Sequence, residues 1–305
     1  MTRQILVTGA GGFIGGRMRD WLEERSIPVT GWTRADVDLE NRAAVAEAMS
    51  ALNPGIVLHL AAIPARADDS DWRLIARETA MLDSLAGSLP PDALLIYCSS
   101  MAEIGFSGVH DEQVWCRPRT LYGMAKYAAT NRALALAGAG RAIRVARLFG
   151  VYGPGEGTQR LIPHLVSKLA RSEPAELSDG RQIRDFVHVD DVCAALWALA
   201  ATPVTSLPGL INIGTGHGLS VAAVARAVAA ALGTDPKLLQ FGAIGRRHVD
   251  EAELVAHVGL LRETTGLALP QHAIGPAPRF VDYVNDLSSA LPGNKIEDSP
   301  RGSGH

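Results

Sequence analysis

Tyr122-Gly-Met-Ala-Lys126 sets a phenol and an ammonium four residues apart in a stretch of helical character. At that spacing both side chains share one helix face and lie within reach of each other. A free tyrosine titrates near ~10 and is a poor acid–base group at neutral pH. A neighbouring ammonium favours the phenolate and lowers that value. The pair is therefore suited to moving a proton onto or off the oxygen of a carbinol/carbonyl couple. The alternative reading is a surface pair on a helix. Ser99 and Ser100 follow an apolar strand pattern over residues 94–98. A hydroxyl at the carboxyl end of a strand, where open α/β sheets bind ligands, can hydrogen-bond a reacting oxygen beside Tyr122.

A second constellation lies upstream. Gly9, Gly12 and Gly15 form GxxGxxG between a strand pattern at residues 5–7 and a helix read over 17–25. Such a turn must reverse the chain tightly, bring backbone close to a pyrophosphate and let helix pack on strand. Glycine meets each demand because it lacks Cβ. A helix N-terminus then offers free N–H groups and the positive end of its dipole to phosphates. The strand–turn–helix context raises the motif above a bare glycine triplet, whose other reading is a tight turn without ligand. The GxGxxG spacing would need glycine at position 14, where Ile14 stands. The next strand ends Trp32-Thr33-Arg34, with no acid before Asp36. An acid there would bind the ribose 2′-OH of NAD, whereas an arginine accommodates the 2′-phosphate of NADP. NADP(H) is therefore favoured, NAD(H) stays possible, and a solvated surface charge is the other reading of Arg34.

These residues need a frame. Strand patterns at 5–7, 27–32, 56–60, 93–97 and 142–149 alternate with helical patterns at 17–25, 43–52, 75–85 and 122–137. Alternation of this kind means βαβ units, so the expected class is α/β, a Rossmann doubly wound parallel sheet. Later segments read as helices at 161–171, 192–201 and 220–232, with strands within 179–191 and at 210–213. The expected division is an NAD(P)-binding domain over 1–150, with returning segments near 186–214. A smaller C-terminal α/β substrate-binding lobe follows over 151–287, and a flexible polar tail over 288–305. The 305 residues carry a formal net charge of -3, so no nucleic-acid footprint is expected. Cys98, Cys116 and Cys193 form no CxxC pair. That argues against a disulfide framework or a metal site and fits a reducing cytoplasm. No signal-peptide layout precedes the first strand, and the apolar helix at 192–201 is too short to span a bilayer, so no membrane partner is expected.

Taken in order, the motifs resemble the extended short-chain dehydrogenase/reductases, the NAD-dependent epimerase/dehydratase family acting on nucleotide sugars, over residues 4–285. Arg147-Leu-Phe-Gly-Val-Tyr-Gly-Pro154, Arg184-Asp-Phe-Val-His-Val-Asp-Asp191 and Asn212-Ile-Gly-Thr-Gly216 extend the resemblance into the second half. It implies that Gly9, Gly12, Phe13, Ile14 and Gly15 hold the cofactor phosphates. Asp38 and Leu39 would meet adenine, and Leu60, Ala61 and Ala62 would lie near the adenine ribose and pyrophosphate. Ser100, rather than Ser99, would be catalytic with Tyr122 and Lys126, and Lys126 would also hydrogen-bond the nicotinamide ribose. Ser100 and Tyr122 would touch the substrate, and Arg247 its diphosphate. Arg184 is either a second diphosphate contact or a structural ion-pair partner. His164 either lines a nucleotide-base pocket with Leu161, Ile162 and Pro163 or is an exposed helix residue. Asp190 and Asp191 are expected to cap a helix beginning at Val192. The helices flanking the catalytic tyrosine imply a homodimer.

Departures from the family pattern narrow the reaction. The dehydratase branch carries Asp-Glu where this chain has Met101 and Ala102, neither able to transfer protons. Gly150 stands in place of a frequent asparagine, Glu103-Ile104-Gly105 in place of VYG, and Arg77 in place of an asparagine. The first expectation is an NADPH-dependent reductase of a nucleotide-activated 4-keto-6-deoxy sugar. The alternatives are a nucleotide-sugar 4-epimerase with tightly held NAD, a reductase of an apolar ketone, and a cofactor-sensing binding protein without catalysis.

Overall fold

The computed structural model describes residues 4–63, 71–246, 251–271 and 274–291. Two compact units partition the chain. The described residues of Met1–Gly155, Arg181–Val221 and Arg246–His272 form the larger, and those of Glu156–Gly180, Ala222–Gly245 and Ala273–His305 the smaller.

The larger unit begins β1 (Ile5–Thr8), α1 (Phe13–Glu23), β2 (Val29–Trp32), α2 (Arg42–Leu52), β3 (Ile56–His59), α3 (Arg73–Ser88) and β4 (Leu94–Ser100). It continues with a 3-10 turn (Met101–Glu103), β5 (Gly108–His110), α4 (Leu121–Gly138), β6 (Ile143–Leu148) and β7 (Gly150–Tyr152). The next elements along the chain are α5 (Leu161–Leu169), β8 (Ala175–Leu177), β9 (Ile183–His188), α6 (Val189–Ala201) and β10 (Leu210–Ile213). Then come β11 (Gly218–Ser220), α7 (Val221–Leu232), β12 (Leu239–Phe241), β13 (Glu253–Ala256), α8 (Gly259–Thr265) and α9 (Pro278–Ser289).

Six strands pair in parallel in the order β10-β6-β4-β3-β1-β2. Successive side chains point to opposite faces of a strand, and each face here is apolar. Ile5 and Val7 pack in one cluster with Met18 and Leu22 of α1 and Val192 and Leu196 of α6. Leu6 joins Val45 and Met49 of α2, Leu82 and Leu85 of α3, and Ala129 and Ala133 of α4. Both faces are thus covered by helices, the doubly wound Rossmann-like arrangement that the alternating pattern implied. The strand order reverses between β1 and β3, and ligands bind at the carboxyl ends of strands at such a switch point.

A second sheet of the larger unit runs β11-β9-β13-β5, with β7 also paired to β9. Four of its strands are only three or four residues long, too short for a clear alternation in sequence, whereas the six residues of β9 fall within the strand expected at 179–191. Within the smaller unit β8 pairs in parallel with β12, and α5 packs against α9. Tyr283 donates to Glu156 at 2.6 Å there.

Two helix starts differ from expectation. α1 begins at Phe13, four residues before the apolar periodicity, because Gly15 and Gly16 dilute the sequence signal without preventing the helix. α6 begins at Val189, and its N-cap is His188, whose ring accepts from Asp190 N at 3.2 Å. Asp190 and Asp191 therefore do not cap. They lie in the first turn, where negative charge complements the helix dipole. α9 extends through Ser289, so the tail expected over 288–305 does not start at 288; residues 292–305 lie outside the described residues.

Candidate active site

The glycine turn joins β1 to α1 by close backbone contact. Gly9 has φ +71, and a methyl on it would lie 2.6 Å from Ala61 N in the turn after β3. A methyl on Gly15 would lie 2.1 Å from the Gly9 carbonyl oxygen. Only glycine lets these segments approach so closely. Gly12 is the N-cap of α1; no side chain caps that helix, and its first turn holds no acid. Gly11 and Gly12 are exposed. The N–H groups of Phe13 and Ile14 are thus left for an external anion, with the dipole behind them. This arrangement fits a dinucleotide pyrophosphate.

At the end of β2, the Asp36 carboxylate turns back and accepts from Thr33 N at 2.8 Å and Thr33 Oγ1 at 2.7 Å. Those bonds hold its carboxyl below the usual carboxylate range. Arg34 beside it is exposed. Asp38 is exposed and accepts from Glu40 N at 3.1 Å, whereas the Leu39 side chain is buried among Trp32, Val45 and Met49. Arg77 grips Glu40 through two bonds of 2.9 and 2.7 Å. Leu60 and Ala61 are half-buried and Ala62 is exposed.

Ser99 and Ser100 both belong to β4, not to the loop after it, and their surroundings differ. Ser99 is buried and donates to Glu103 Oε2 at 2.6 Å while accepting from Thr130 Oγ1 at 2.8 Å. Ser100 is half-buried and its Oγ accepts from Ala102 N at 3.2 Å. Among the described residues no acceptor takes the Ser100 hydroxyl proton. α4 packs directly on this turn, because a methyl on Gly123 would lie 2.3 Å from the Ala102 carbonyl oxygen. Thr120 caps α4, accepting from Gly123 N at 3.0 Å. Tyr122, one residue before that contact, is half-buried, and among the described residues its hydroxyl has no partner.

Lys126 lies 3% exposed beneath Tyr122, with Nζ 6.0 Å from the Tyr122 ring centroid. It donates to Glu78 Oε1 at 2.6 Å and to the Cys98 carbonyl at 3.1 Å. Tyr97 also donates to Glu78 Oε1, at 3.2 Å, and Ile63 N donates to Glu78 Oε2, at 3.3 Å. Burial works against both charges, but each supports the other. Burial raises the Glu78 value, yet Lys126 outweighs it and holds the carboxyl below its ordinary range. Burial lowers the Lys126 value, yet Tyr97 and Glu78 hold the ammonium well above the ordinary lysine range.

Thr8, His59 and Tyr97 sit side by side across β1, β3 and β4 on the same sheet face. Thr8 Oγ1 and His59 Nδ1 are 2.8 Å apart. Burial pushes His59 down to about 4, so the ring is neutral at pH 7. Its Nε2 is buried, with no hydrogen-bond partner among the described residues.

Asp185 is the hub of the second sheet. It accepts from Thr215 N, Thr215 Oγ1, Gly216 N and Ala256 N at 2.6–3.2 Å, fastening the loop after β10 to β13. Arg184 precedes it on β9, half-buried, with one nitrogen donating to the Ile183 carbonyl at 2.8 Å. His164 is half-buried on α5, beside the buried Ile162 and Pro163. Arg247 lies outside the described residues.

Sequence reasoning passed over Glu78, His59, Tyr97 and Gly123. Glu78 carried a signal: it falls on the stripe Leu74, Glu78, Met81, Leu82, Leu85 that α3 buries. An acid on an apolar stripe needs a buried partner.

A family model described as the NAD dependent epimerase/dehydratase family matches residues 5–214. A GDP-6-deoxy-D-talose 4-dehydrogenase of Aggregatibacter actinomycetemcomitans is 30% identical over 232 residues, spanning 72% of this chain and 76% of that protein. The solved structure of MoeE5 in complex with UDP-glucuronic acid and NAD is 28% identical, with a TM-score of 0.80 over 93% of this chain and 99% of that one. RMD from Pseudomonas aeruginosa, complexed with NADPH, shares the fold at 22% identity and a TM-score of 0.80, covering 95% of this chain and 100% of its own.

Proposed function

The chain belongs to the NAD-dependent epimerase/dehydratase family, enzymes that modify nucleotide sugars with a nicotinamide cofactor, and on that footing we propose that it reduces a nucleotide-activated 4-keto-6-deoxyhexose. The observation that carries this reading is the pair of uncommitted hydroxyls, Ser100 and Tyr122, on two elements locked together at Gly123. Both are donors suited to one carbonyl oxygen. Elimination would need a free acid or base besides the tyrosine. In the segment after Ser100 the one carboxylate is Glu103, fully buried and bonded through both oxygens to Ser99, Thr130 and Arg147. A relative described as a 4-dehydrogenase supports carbinol–ketone chemistry at that carbon.

Gly9, Gly12, Phe13, Ile14 and Gly15 would hold the cofactor phosphates, with Ala61 and Ala62 beside them. The bound nicotinamide supplies the hydride. Ser100 donates a hydrogen bond to the ketone oxygen and polarises it. Tyr122 delivers its proton to that oxygen as it becomes the carbinol. The Lys126 ammonium stabilises the phenolate left behind, and solvent restores the proton. NADP(H) is favoured because Asp36 is bonded back to Thr33 while Arg34 is exposed. Arg184 and Arg247 remain the proposed diphosphate contacts. A cytoplasmic homodimer completes the proposal; three free, buried cysteines fit a reducing compartment.

The test has two readouts. Purified protein is supplied with NADPH and a panel of nucleotide 4-keto-6-deoxy sugars, and any cofactor that co-purifies is identified by mass spectrometry. NADPH consumption with one of them is the expected result. Co-purified NAD, with epimerisation and no demand for added cofactor, would replace the reductase reading by a 4-epimerase. No turnover of any kind would favour a cofactor-sensing protein.

A further inference from the structure

We propose that Glu78 is a positioning residue for the Tyr122–Lys126 pair: its carboxylate keeps the buried Lys126 ammonium charged and held beside Tyr122, and ties it to the turn after β3. This rests on the proposed role of Tyr122. Three observations on different elements carry it. Lys126 is 3% exposed, so it lacks the water that would otherwise sustain an ammonium; burial alone favours the neutral amine. Among the described residues, its one hydrogen-bond acceptor besides Glu78 is the neutral Cys98 carbonyl. Glu78 is 1% exposed and both its oxygens are used, Oε1 by Lys126 and Tyr97 and Oε2 by Ile63 N. Ile63 stands two residues after Ala61, which with Leu60 meets Gly9 of the phosphate turn. One carboxylate therefore joins the cofactor-side turn to the lysine under the tyrosine.

A purely structural reason for the pair is weak. Buried ion pairs often contribute little net stability compared with apolar residues of similar size. What an apolar pair could not do is present a positive charge 6.0 Å from the Tyr122 ring. The groups that face this charge are Tyr122 on α4, Glu78 on α3, Tyr97 and the Cys98 thiol on β4, and His59 on β3. His59 is neutral at pH 7, and burial holds the Cys98 thiol up at about 12. Burial holds the Tyr97 phenol well above its ordinary value, and it donates its proton to Glu78, so Glu78 is the anionic member of the group at neutral pH. Arg77, its chain neighbour, points away to Glu40.

The experiment follows Tyr122 itself. Near-ultraviolet tyrosinate absorbance is titrated in the wild type and in Glu78→Gln, each corrected by the same titration in a Tyr122→Phe background. Glutamine keeps an acceptor for Lys126 but not the charge. Lys126 should then give up its proton, and the Tyr122 midpoint should rise by about one pH unit or more, a tenfold loss of phenolate at fixed pH. Glu78→Asp, which keeps the charge, should stay near the wild-type midpoint. An unchanged or lowered midpoint in Glu78→Gln overturns the proposal. Should Glu78→Gln not fold, 15N-lysine NMR of the wild type decides, with Lys126→Arg assigning the signal. The ammonium should persist through the ordinary lysine range near ~10.4, and deprotonation below it refutes the inference. Full turnover in Tyr122→Phe, with the midpoint shift intact, would instead sink the reaction assignment and leave the charge relation standing.

Discussion

Two buried ion pairs flank β4 and look alike by burial. Lys126–Glu78 has side chains 3% and 2% exposed, and Arg147–Glu103 3% and 0%. Their surroundings separate them. Arg147 reaches Glu103 and Asn212 Oδ1, and Asn212 in turn donates to the His110 carbonyl. Ser99 donates to Glu103 Oε2, and the single Thr130 hydroxyl proton lies between Glu103 Oε2 and Ser99 Oγ. That cluster closes on itself and staples β4, β6, β10 and α4 together. The Lys126 cluster is open: among the described residues, neither the hydroxyl of the half-buried Tyr122 beside it nor His59 Nε2 has a hydrogen-bond partner. A saturated network holds structure, whereas an unsaturated one at the carboxyl ends of the strands has bonds left for ligands.

The largest effect expected from breaking this contrast is at Arg147. Arg147→Met leaves Glu103 as a buried, unpaired charge and should cost about 3–5 kcal/mol in denaturant unfolding. Adding Glu103→Leu should recover part of that loss and preserve turnover per folded molecule. The matching double change, Lys126→Met with Glu78→Leu, should recover stability but not turnover. Equal turnover in the two doubles would erase the distinction between the clusters.

Next is the hydroxyl left free at the strand end. Ser100→Ala should lower kcat by about 10²–10³-fold, the usual cost of one donor to a developing oxyanion, while the lost bond from Ala102 N costs no more than about 1 kcal/mol of stability.

His59 sharpens the contrast through pH. Its folded value lies near 4, below its ordinary 6.5. A depressed value contributes stability that is complete above about pH 6.5, is lost as pH falls towards 4, and changes no further below that. At about 1.4 kcal/mol per unit the loss is roughly 3 kcal/mol. His59→Gln should remove that component of the difference in unfolding free energy between pH 7 and pH 4. A variant with the wild-type pH dependence would contradict the buried neutral ring. The smallest effect belongs to Ser99→Ala: about 1 kcal/mol of stability, and no change in kcat.

The alternating strands and helices were legible because parallel strands covered on both faces leave unbroken apolar runs such as Leu94–Leu95–Ile96. The site residues were legible where their chemistry is local. Gly9, Gly12 and Gly15 sit in one turn, and Tyr122 and Lys126 one helical turn apart. Glu78 and Lys126, 48 residues apart, and Glu103 and Arg147, 44 apart, meet only through folding. No local spacing announces such partners. A place at the strand end does not by itself separate Ser99 from Ser100; the family resemblance singles out Ser100. What separates them is that Glu103 and Thr130 claim the first.

The most direct test compares wild type with Tyr122→Phe in NADPH oxidation driven by a nucleotide 4-keto-6-deoxy sugar, with NADPH affinity measured in parallel. The account predicts a kcat lower by about 10²–10⁴-fold and an unchanged NADPH affinity. Equal kcat in the two proteins would contradict it.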